Sequence, residues 1–404
     1  MKVELIQQKN IEPWIFNDKK NYILLNHKLS SLTAKSLTEK LNVFLEDNQL
    51  ILTDSFILLA SSGTTSFKIK LVLLRKTAIL NSALMVGKHF SFKKDENWLT
   101  SLPNHHIGGL SILARSHLFS QKTFAFEKWD LALFYNTITD YKINYCSLVP
   151  TQVFDIVQSC FQAPPSLKKV FVGGGYLDEN LFVKASELGW PLIKTYGMTE
   201  TSSMIAYSEH KENLFTPFDE IKIGTNSENK LTINCNTLYT CTLKESEISG
   251  IDLEYPQLID NFWQTEDIVS LTPTGNIIFV GRGSDFTKIK GELVNLFLLR
   301  QRLNSFCLDF FSSVTNSTII EIPHLREGSE LIAFFETSSL ENINKAINKI
   351  LNSFNNSVLP FEKIFSYVLI DRFPLTELGK LKLSEFNTAT YKELINEKRS
   401  YLME

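Results

Sequence analysis

From about residue 50 to residue 200, short and uniformly apolar runs alternate with amphipathic stretches. Ser55-Phe56-Ile57-Leu58-Leu59-Ala60 and Lys169-Val170-Phe171-Val172 are of the first kind, and Thr151 to Cys160 is of the second. Each apolar run is stopped by glycine or by a small-residue loop. That pattern predicts buried strands of an α/β sheet, with ligand-binding groups at their carboxyl ends. After about residue 210 polar and apolar positions take turns, as in Lys230-Leu231-Thr232-Ile233-Asn234-Cys235, and Pro273-Thr274-Gly275-Asn276 reads as a turn. A mainly antiparallel segment is expected there. Beyond Gly283 a helical pattern at Glu341 to Phe354 is mixed with strand-like runs at Glu330 to Phe335 and Ile364 to Ile370. This stretch is long enough for a small α+β domain of its own. The expected division is an N-terminal domain over residues 1–283, with a β-rich part at 211–283, and a C-terminal domain over 284–404.

Composition narrows the class without identifying it. The 404 residues are 44% hydrophobic and 21% charged, enough for a large core and a smaller one. A net charge of -3 provides no general attraction to nucleic acid or to an anionic membrane, so any phosphate-binding surface must be local. The five cysteines, Cys146, Cys160, Cys235, Cys241 and Cys307, are odd in number, scattered and without a C-x-x-C pair. They argue against a disulfide framework and a zinc site, and a reducing cytoplasm fits them. Residues 1–10 carry charges and amides where a signal peptide needs an apolar core, and no run reaches the roughly 18 apolar residues of a membrane span. Neither export nor membrane insertion is expected.

Four blocks carry candidate chemistry. Ser61-Ser62-Gly63-Thr64-Thr65-Ser66 follows an apolar strand and offers N–H and O–H donors in a loop that can wrap phosphate oxygens, although such loops are more often plain turns. Val172-Gly173-Gly174-Gly175 is followed by Lys194-Thr195-Tyr196-Gly197-Met198-Thr199-Glu200-Thr201. Bare glycine backbone can take one face of a flat ring, and Tyr196 can cover the other. Thr199 can donate to a phosphate and Glu200 can hold Mg2+. Alternatively, the second half of this block is the start of a capped helix with Thr199 as N-cap. In Gln264-Thr265-Glu266-Asp267 and Gly281-Arg282-Gly283-Ser284-Asp285, Asp267 can accept two ribose hydroxyls and Arg282 can pair with sugar or phosphate. Last, Pro374-Leu375-Thr376-Glu377-Leu378-Gly379-Lys380 places a mobile point charge on a glycine-containing turn, suited to bridging a carboxylate and an α-phosphate.

Taken in order, the blocks resemble the motif series of the adenylate-forming superfamily of acyl-CoA synthetases, luciferases and peptide-synthetase adenylation domains, over about residues 55 to 385. Pro103-Asn104-His105-His106-Ile107-Gly108-Gly109-Leu110-Ser111, the three glycines, Tyr196 to Thr201, and Arg282-Gly283-Ser284-Asp285 are similar to the o-succinylbenzoate-CoA ligase branch of menaquinone biosynthesis. The resemblance implies an α/β N-terminal domain of sheets flanked by helices with a β-barrel-like subdomain. It also implies a small α+β C-terminal domain that turns about a hinge at Ser284. It further implies ATP, Mg2+ and coenzyme A, used to join a carboxylic acid to AMP and then pass the acyl group to a thiol. Lys380, Thr199, Glu200 and His106 would be catalytic. Ser61, Ser62, Gly63, Thr64 and Thr65 would hold pyrophosphate, Gly173, Gly174, Gly175 and Tyr196 the base, Asp267 and Arg282 the ribose, and Glu200 the metal. His106, Arg115 and Gly197 would line the acid pocket, with Arg115 a candidate for the second carboxylate of a dicarboxylic aromatic acid. No nucleic-acid partner follows, and a homo-oligomer is left open.

The chain also departs from the pattern. Where relatives continue Gly-x-Pro-Lys-Gly it has Ser66-Phe67-Lys68-Ile69-Lys70, so Ile69 holds the usual lysine position; Lys68 or Lys70 is left as a substitute, although on an extended segment both point away from the Ile69 face. The ribose block reads Thr-Glu-Asp where Thr-Gly-Asp is common. The phosphate loop begins early, which predicts an abbreviated N-terminal subdomain. His105 and His106 are expected on opposite faces of a strand and so not to form a metal pair. Two other readings stay open: a ligase for another acid or for a carrier-protein thiol, and a non-catalytic nucleotide-binding relative.

Overall fold

The computed structural model describes residues 2–6, 11–25, 31–47, 54–60, 70–126, 128–246, 250–289, 291–308, 316–324, 328–337, 343–376 and 381–387. Two large sheets organise the N-terminal part. The first has six strands in the order Val3–Ile6, Asn21–Leu24, Phe56–Ala60, Lys70–Arg75, Cys241–Ser246 and Gly250–Glu254. Its first three strands run parallel and the others antiparallel. The uniform apolar run ending at Ala60 has its reason here, because Phe56, Ile57, Leu58 and Leu59 are covered on both faces. Helix Ser31–Asp47 lays Ala34, Leu37, Leu41 and Leu45, at helical spacing, over one face. Ile79 and Ala83 of helix Lys76–His89 and Leu110, Leu113 and Ala114 of helix Ile107–Phe119 cover the other.

The second sheet has 12 strands. Its parallel half runs Leu192–Met198, Lys169–Val172, Tyr145–Leu148, Asn97–Thr100, Lys122–Ala125. Helices Leu131–Asp140, Pro150–Gln158 and Glu179–Glu187 pack on one face through Phe134, Ile138, Val153, Ile156, Leu181 and Ala185. The amphipathic stretch from Thr151 is thus a crossover helix, as its spacing predicts. Past Leu192–Met198 the sheet continues antiparallel through Ser203–Ser208, Leu214–Pro217, Ile277–Arg282, Phe262–Leu271, Lys230–Asn234 and Lys222–Thr225, and the short strand Leu258–Ile259 pairs with Phe262–Leu271 off this path. Alternation in Lys230–Asn234 buries Leu231 and Ile233, and the turn at Pro273 to Asn276 closes between Phe262–Leu271 and Ile277–Arg282. The β-rich segment is therefore antiparallel as expected, and it also sends Cys241–Ser246 and Gly250–Glu254 across to complete the first sheet.

After Gly283, hairpin Phe286–Ile289/Glu292–Asn295 leads into helix Leu296–Cys307. Strands Asn316–His324, Gly328–Glu336 and Ser366–Ile370 form a three-stranded sheet beside helix Ile343–Ser357. Leu299, Leu303, Ile347, Ile350 and Phe354 close on Phe335, in a core drawn wholly from residues after Gly283. Phe297 touches the preceding part, its ring 4.9 Å from Phe279 and 6.0 Å from Tyr176. Among the described residues no helix is long and apolar enough to cross a membrane.

Candidate active site

Of the predicted residues that the structure describes, Gly173 to Gly175, Tyr196, Gly197, Thr199 and Glu200 lie at or just past the carboxyl ends of two adjacent parallel strands. Gly173, Gly174 and Gly175 end Lys169–Val172, the Gly173 N–H donating to the Leu148 carbonyl at 3.1 Å. Gly174 has φ +79°, a conformation that a side chain makes costly, and it is exposed with Gly175. The block is a bare stretch of backbone beside the next strand, Leu192–Met198, which carries Tyr196.

Tyr196, Asp267 and Arg282 form one cluster. Asp267 and Arg282 lie directly opposite each other on Phe262–Leu271 and Ile277–Arg282, so sheet register brings the acid and base together. The Asp267 carboxylate, 3% exposed as a residue, accepts from Arg282 Nε at 2.7 Å and from the Tyr196 hydroxyl at 2.6 Å. Burial above all, and then the Asp267 charge, push the Tyr196 hydroxyl well above its ordinary range, so it remains a donor. Burial works against the Arg282 charge, but Asp267 outweighs it and holds the guanidinium above its usual value. The Arg282 side chain is 58% exposed, which leaves donors open toward a ligand. Asp285 accepts from the Arg282 N–H at 2.9 Å and from Arg300 at 3.2 Å, tying the strand end to the helix Leu296–Cys307. The Asp285–Arg300 link is not signalled by any motif. Ser284 sits in the single turn Gly283–Asp285 that joins the two parts.

Thr199 and Glu200 lie in the short 3-10 turn Thr199–Thr201, not at the start of a longer helix, and Met198 rather than Thr199 is the N-cap, its N–H donating to the Thr201 hydroxyl at 3.2 Å. Glu200 is reached from the other sheet by Lys70, the first residue of Lys70–Arg75, with Nζ 3.1 Å from Oε1. The two are 130 residues apart. The sequence offers Lys68 or Lys70 as a substitute for the lysine whose position Ile69 holds, and no local pattern could have matched Lys70 to Glu200. A lone carboxylate suits Mg2+, which keeps several waters and binds through one or two carboxylates plus substrate phosphates.

Of the residues expected to line an acid pocket, His106 caps helix Ile107–Phe119, Arg115 lies within it and Gly197 is on strand Leu192–Met198. The strand expected at His105 and His106 is not formed. Both lie in the turn closed by the His106 N–H bonding to the Pro103 carbonyl at 3.0 Å, and their ring centroids are 4.3 Å apart. Alternation holds only for extended chain, so the opposite-face argument does not apply. His105 is buried and His106 half-buried as the N-cap of the helix. Gly197 is exposed, and a Cβ there would stand 2.2 Å from the Ser203 carbonyl oxygen, because the chain doubles back tightly. Arg115 is 1% exposed, packed 5.7 Å from the rings of both Trp98 and Phe171. Its NH2 group donates to Ser203 Oγ at 3.3 Å, and among the described residues its Nε has no hydrogen-bond partner and the side chain makes no ion pair. Burial lowers its guanidinium to about 9.

Ser61, Ser62, Gly63, Thr64, Thr65 and Lys380 lie outside the described residues. Of the last block, Leu375 and Leu381 pair as an isolated antiparallel bridge on either side of 377–380.

A model of the AMP-binding enzyme family matches residues 17–227, more than half of the chain. The chain belongs to that family. It is 25% identical over 313 residues to the 2-succinylbenzoate–CoA ligase of Staphylococcus epidermidis, covering 75% of this chain and 63% of the relative. The ligase of the same name from Oceanobacillus iheyensis is 29% identical over 196 residues, 46% of this chain and 38% of the relative. The chain thus spans less than two thirds of the length of these relatives. Among solved structures, o-succinylbenzoate CoA synthetase from Bacillus subtilis in complex with its acyl-adenylate intermediate OSB-AMP superposes with a TM-score of 0.79 at 18% identity, over 96% of this chain and 88% of that one. An ATP-bound RpMatB–BxBclM chimera gives 0.76 at 15% identity, over 98% and 89%. At such identity the likeness is one of fold.

Proposed function

We propose that the chain is an ATP-dependent acid-thiol ligase that makes an acyl-adenylate and passes the acyl group to coenzyme A, with o-succinylbenzoate as the acid. The observation that carries the reading is the Tyr196–Asp267–Arg282 cluster standing beside the bare backbone of Gly173 to Gly175. A buried, oriented carboxylate next to exposed glycines suits the ribose and base of a nucleotide. Arg115 supports the choice of acid. A guanidinium buried among aromatic rings without a carboxylate is a costly arrangement in the free protein, and the second carboxylate of a dicarboxylic aromatic acid would supply the missing partner. The names of the similar ligases agree with that acid.

In the first half-reaction a carboxylate oxygen of the acid attacks the α-phosphorus and pyrophosphate departs. Lys380 bridges the two negative groups, Thr199 donates to the phosphate, and Ser61 to Thr65 hold the leaving oxygens. Glu200 would hold Mg2+, which when bound offsets phosphate charge. Gly197 and His106 line the pocket in which the acid lies. In the second half-reaction the thiol sulfur attacks the acyl carbon, AMP leaves, and the thiol proton passes to solvent. The separate core after Gly283 suits a C-terminal domain that turns about Ser284 between the two steps, withdrawing Lys380.

The test is ATP-dependent pyrophosphate release with o-succinylbenzoate, benzoate, a fatty acid or no acid, each with and without coenzyme A. Release with o-succinylbenzoate alone, together with its coenzyme A thioester by mass spectrometry, is expected. Release with a different acid would replace the substrate and keep the chemistry, and no release across the panel from folded protein would overturn the ligase reading.

A further inference from the structure

Lys70 has a place in the molecule that the proposed mechanism does not use. It opens the strand that comes after the hydroxyl-rich block Ser61 to Ser66 in the sequence, and it reaches out of the first sheet to the turn that follows Leu192–Met198 in the second. Its side chain is 34% exposed and that of Glu200 17%, so the pair lies at the open edge of the site rather than in the core. Directly across the ladder stands Lys244, whose ammonium bonds both Glu254 oxygens at 2.8 and 2.6 Å. Two lysines opposite each other repel, and each therefore needs its own acid. Two other cations on neighbouring strands are engaged elsewhere. Arg282 is bound to Asp267, and Lys194 is surrounded by the Lys211 and Glu212 carbonyls at 2.6 Å and Asn213 at 3.2 Å. Lys70 is distinct in that its partner is the carboxylate to which the proposed function gives Mg2+.

One carboxylate cannot neutralise both cations at full strength. We propose that Lys70 is a polyphosphate-binding residue held in reserve by Glu200: metal binding at Glu200 releases the Lys70 ammonium, which then takes the β- and γ-phosphate oxygens of ATP. The flexible four-carbon stem and three donors of lysine make this a change of rotamer, with no backbone movement required. The exchange also gives the chain a cation at the end of a loop in which Ile69 occupies the position where relatives carry lysine. The inference rests on the nucleotide-binding part of the proposed function, and does not depend on the acid.

The experiment is calorimetric titration of the full chain with ATP and with AMP, in Mg2+ and in EDTA, on the wild type and on Lys70→Ala, Lys70→Arg, Glu200→Gln, the Glu200→Gln/Lys70→Ala double variant and Lys244→Ala, each first shown to be folded by its melting transition. In Mg2+, Lys70→Ala should weaken ATP roughly tenfold or more, the scale of one charge-assisted hydrogen bond, while AMP changes by less than about twofold. Lys70→Arg should retain part of the ATP affinity, and Lys244→Ala should match the wild type. In EDTA, Glu200→Gln should tighten ATP several-fold by freeing Lys70, and the double variant should lose that gain. Equal losses of ATP and AMP in Lys70→Ala, no loss at all, or a gain that survives in the double variant would each overturn the exchange while leaving the nucleotide site in place. A wild type that binds neither nucleotide would remove the site itself, and the exchange with it.

Discussion

The two ends of the parallel sheet are built on opposite principles. At the amino ends Glu96 is 6% exposed and every neighbour is matched: it accepts from Lys168 at 2.6 Å, from the Lys93 N–H at 2.7 Å and from the Tyr145 hydroxyl at 2.8 Å. Gln121 completes the group by donating to the Lys93 carbonyl and accepting from the Trp98 indole, both at 2.7 Å. This cluster staples the starts of four strands, Asn97–Thr100, Lys122–Ala125, Tyr145–Leu148 and Lys169–Val172, and its described polar groups are matched to one another. At the carboxyl ends the chain instead has glycines, a half-exposed guanidinium on Asp267, an ion pair at the open edge and a buried arginine with an unmatched Nε. Buried polar groups are normally satisfied, so the unmatched Arg115 Nε marks a candidate binding feature, whereas the matched Glu96 cluster is a structural one.

Substitutions at the two ends should therefore fail differently, and the largest effect is expected at Asp267. Asp267→Asn keeps the shape and removes the charge that orients Arg282 and Tyr196. Nucleotide dissociation constants should rise by about 100-fold, as for truncation of a buried charge pair. Retained affinity in a titration with AMP would show that the cluster is structural, like that of Glu96. Next comes Arg115→Met, which exchanges an unpaired buried cation for an apolar side chain of similar length. Thermal stability should hold or rise by about 1 kcal/mol, while the KM for a dicarboxylic aromatic acid rises roughly 100-fold and that for a monocarboxylic acid does not. Parallel loss of stability and of activity with both acids would place Arg115 among the satisfied groups.

The smallest effect on the site belongs to Glu96→Gln. Burial pushes the Glu96 carboxyl up, yet Lys168, the Lys93 N–H and Tyr145 together outweigh it and hold it below its ordinary value. A carboxyl lowered in the folded state stabilises the fold above its unfolded value, and that contribution is lost as pH falls through the folded one. Glu96→Gln should cost about 1.5–3 kcal/mol at pH 7, with the difference from wild type closing in acid below the ordinary range of a glutamate, and nucleotide affinity should be untouched. Denaturant titrations across pH would reveal any departure.

Patterns of short range determined much of this protein. Uniform apolar runs became doubly covered strands, alternation became half-buried antiparallel ones, and the helix from Pro150 formed where amphipathic spacing placed it, because period and burial are encoded residue by residue. Asp267 and Arg282 were also legible, since both stand in recognisable blocks and the strands that carry them are joined by a signalled turn. What only the tertiary structure decided depends on distant segments meeting. The Tyr196 hydroxyl finds Asp267 across 71 residues, Cys241–Ser246 leaves its neighbours to pair with Lys70–Arg75, and Lys70 meets Glu200 through that crossing of sheets. The tilted contact of the His105 and His106 rings and the Arg115 Nε left without a partner among the described residues are of the same kind. A residue type can announce a charge or a donor locally, but whether that group is matched depends on which surfaces pack against it, and packing is a property of the whole chain.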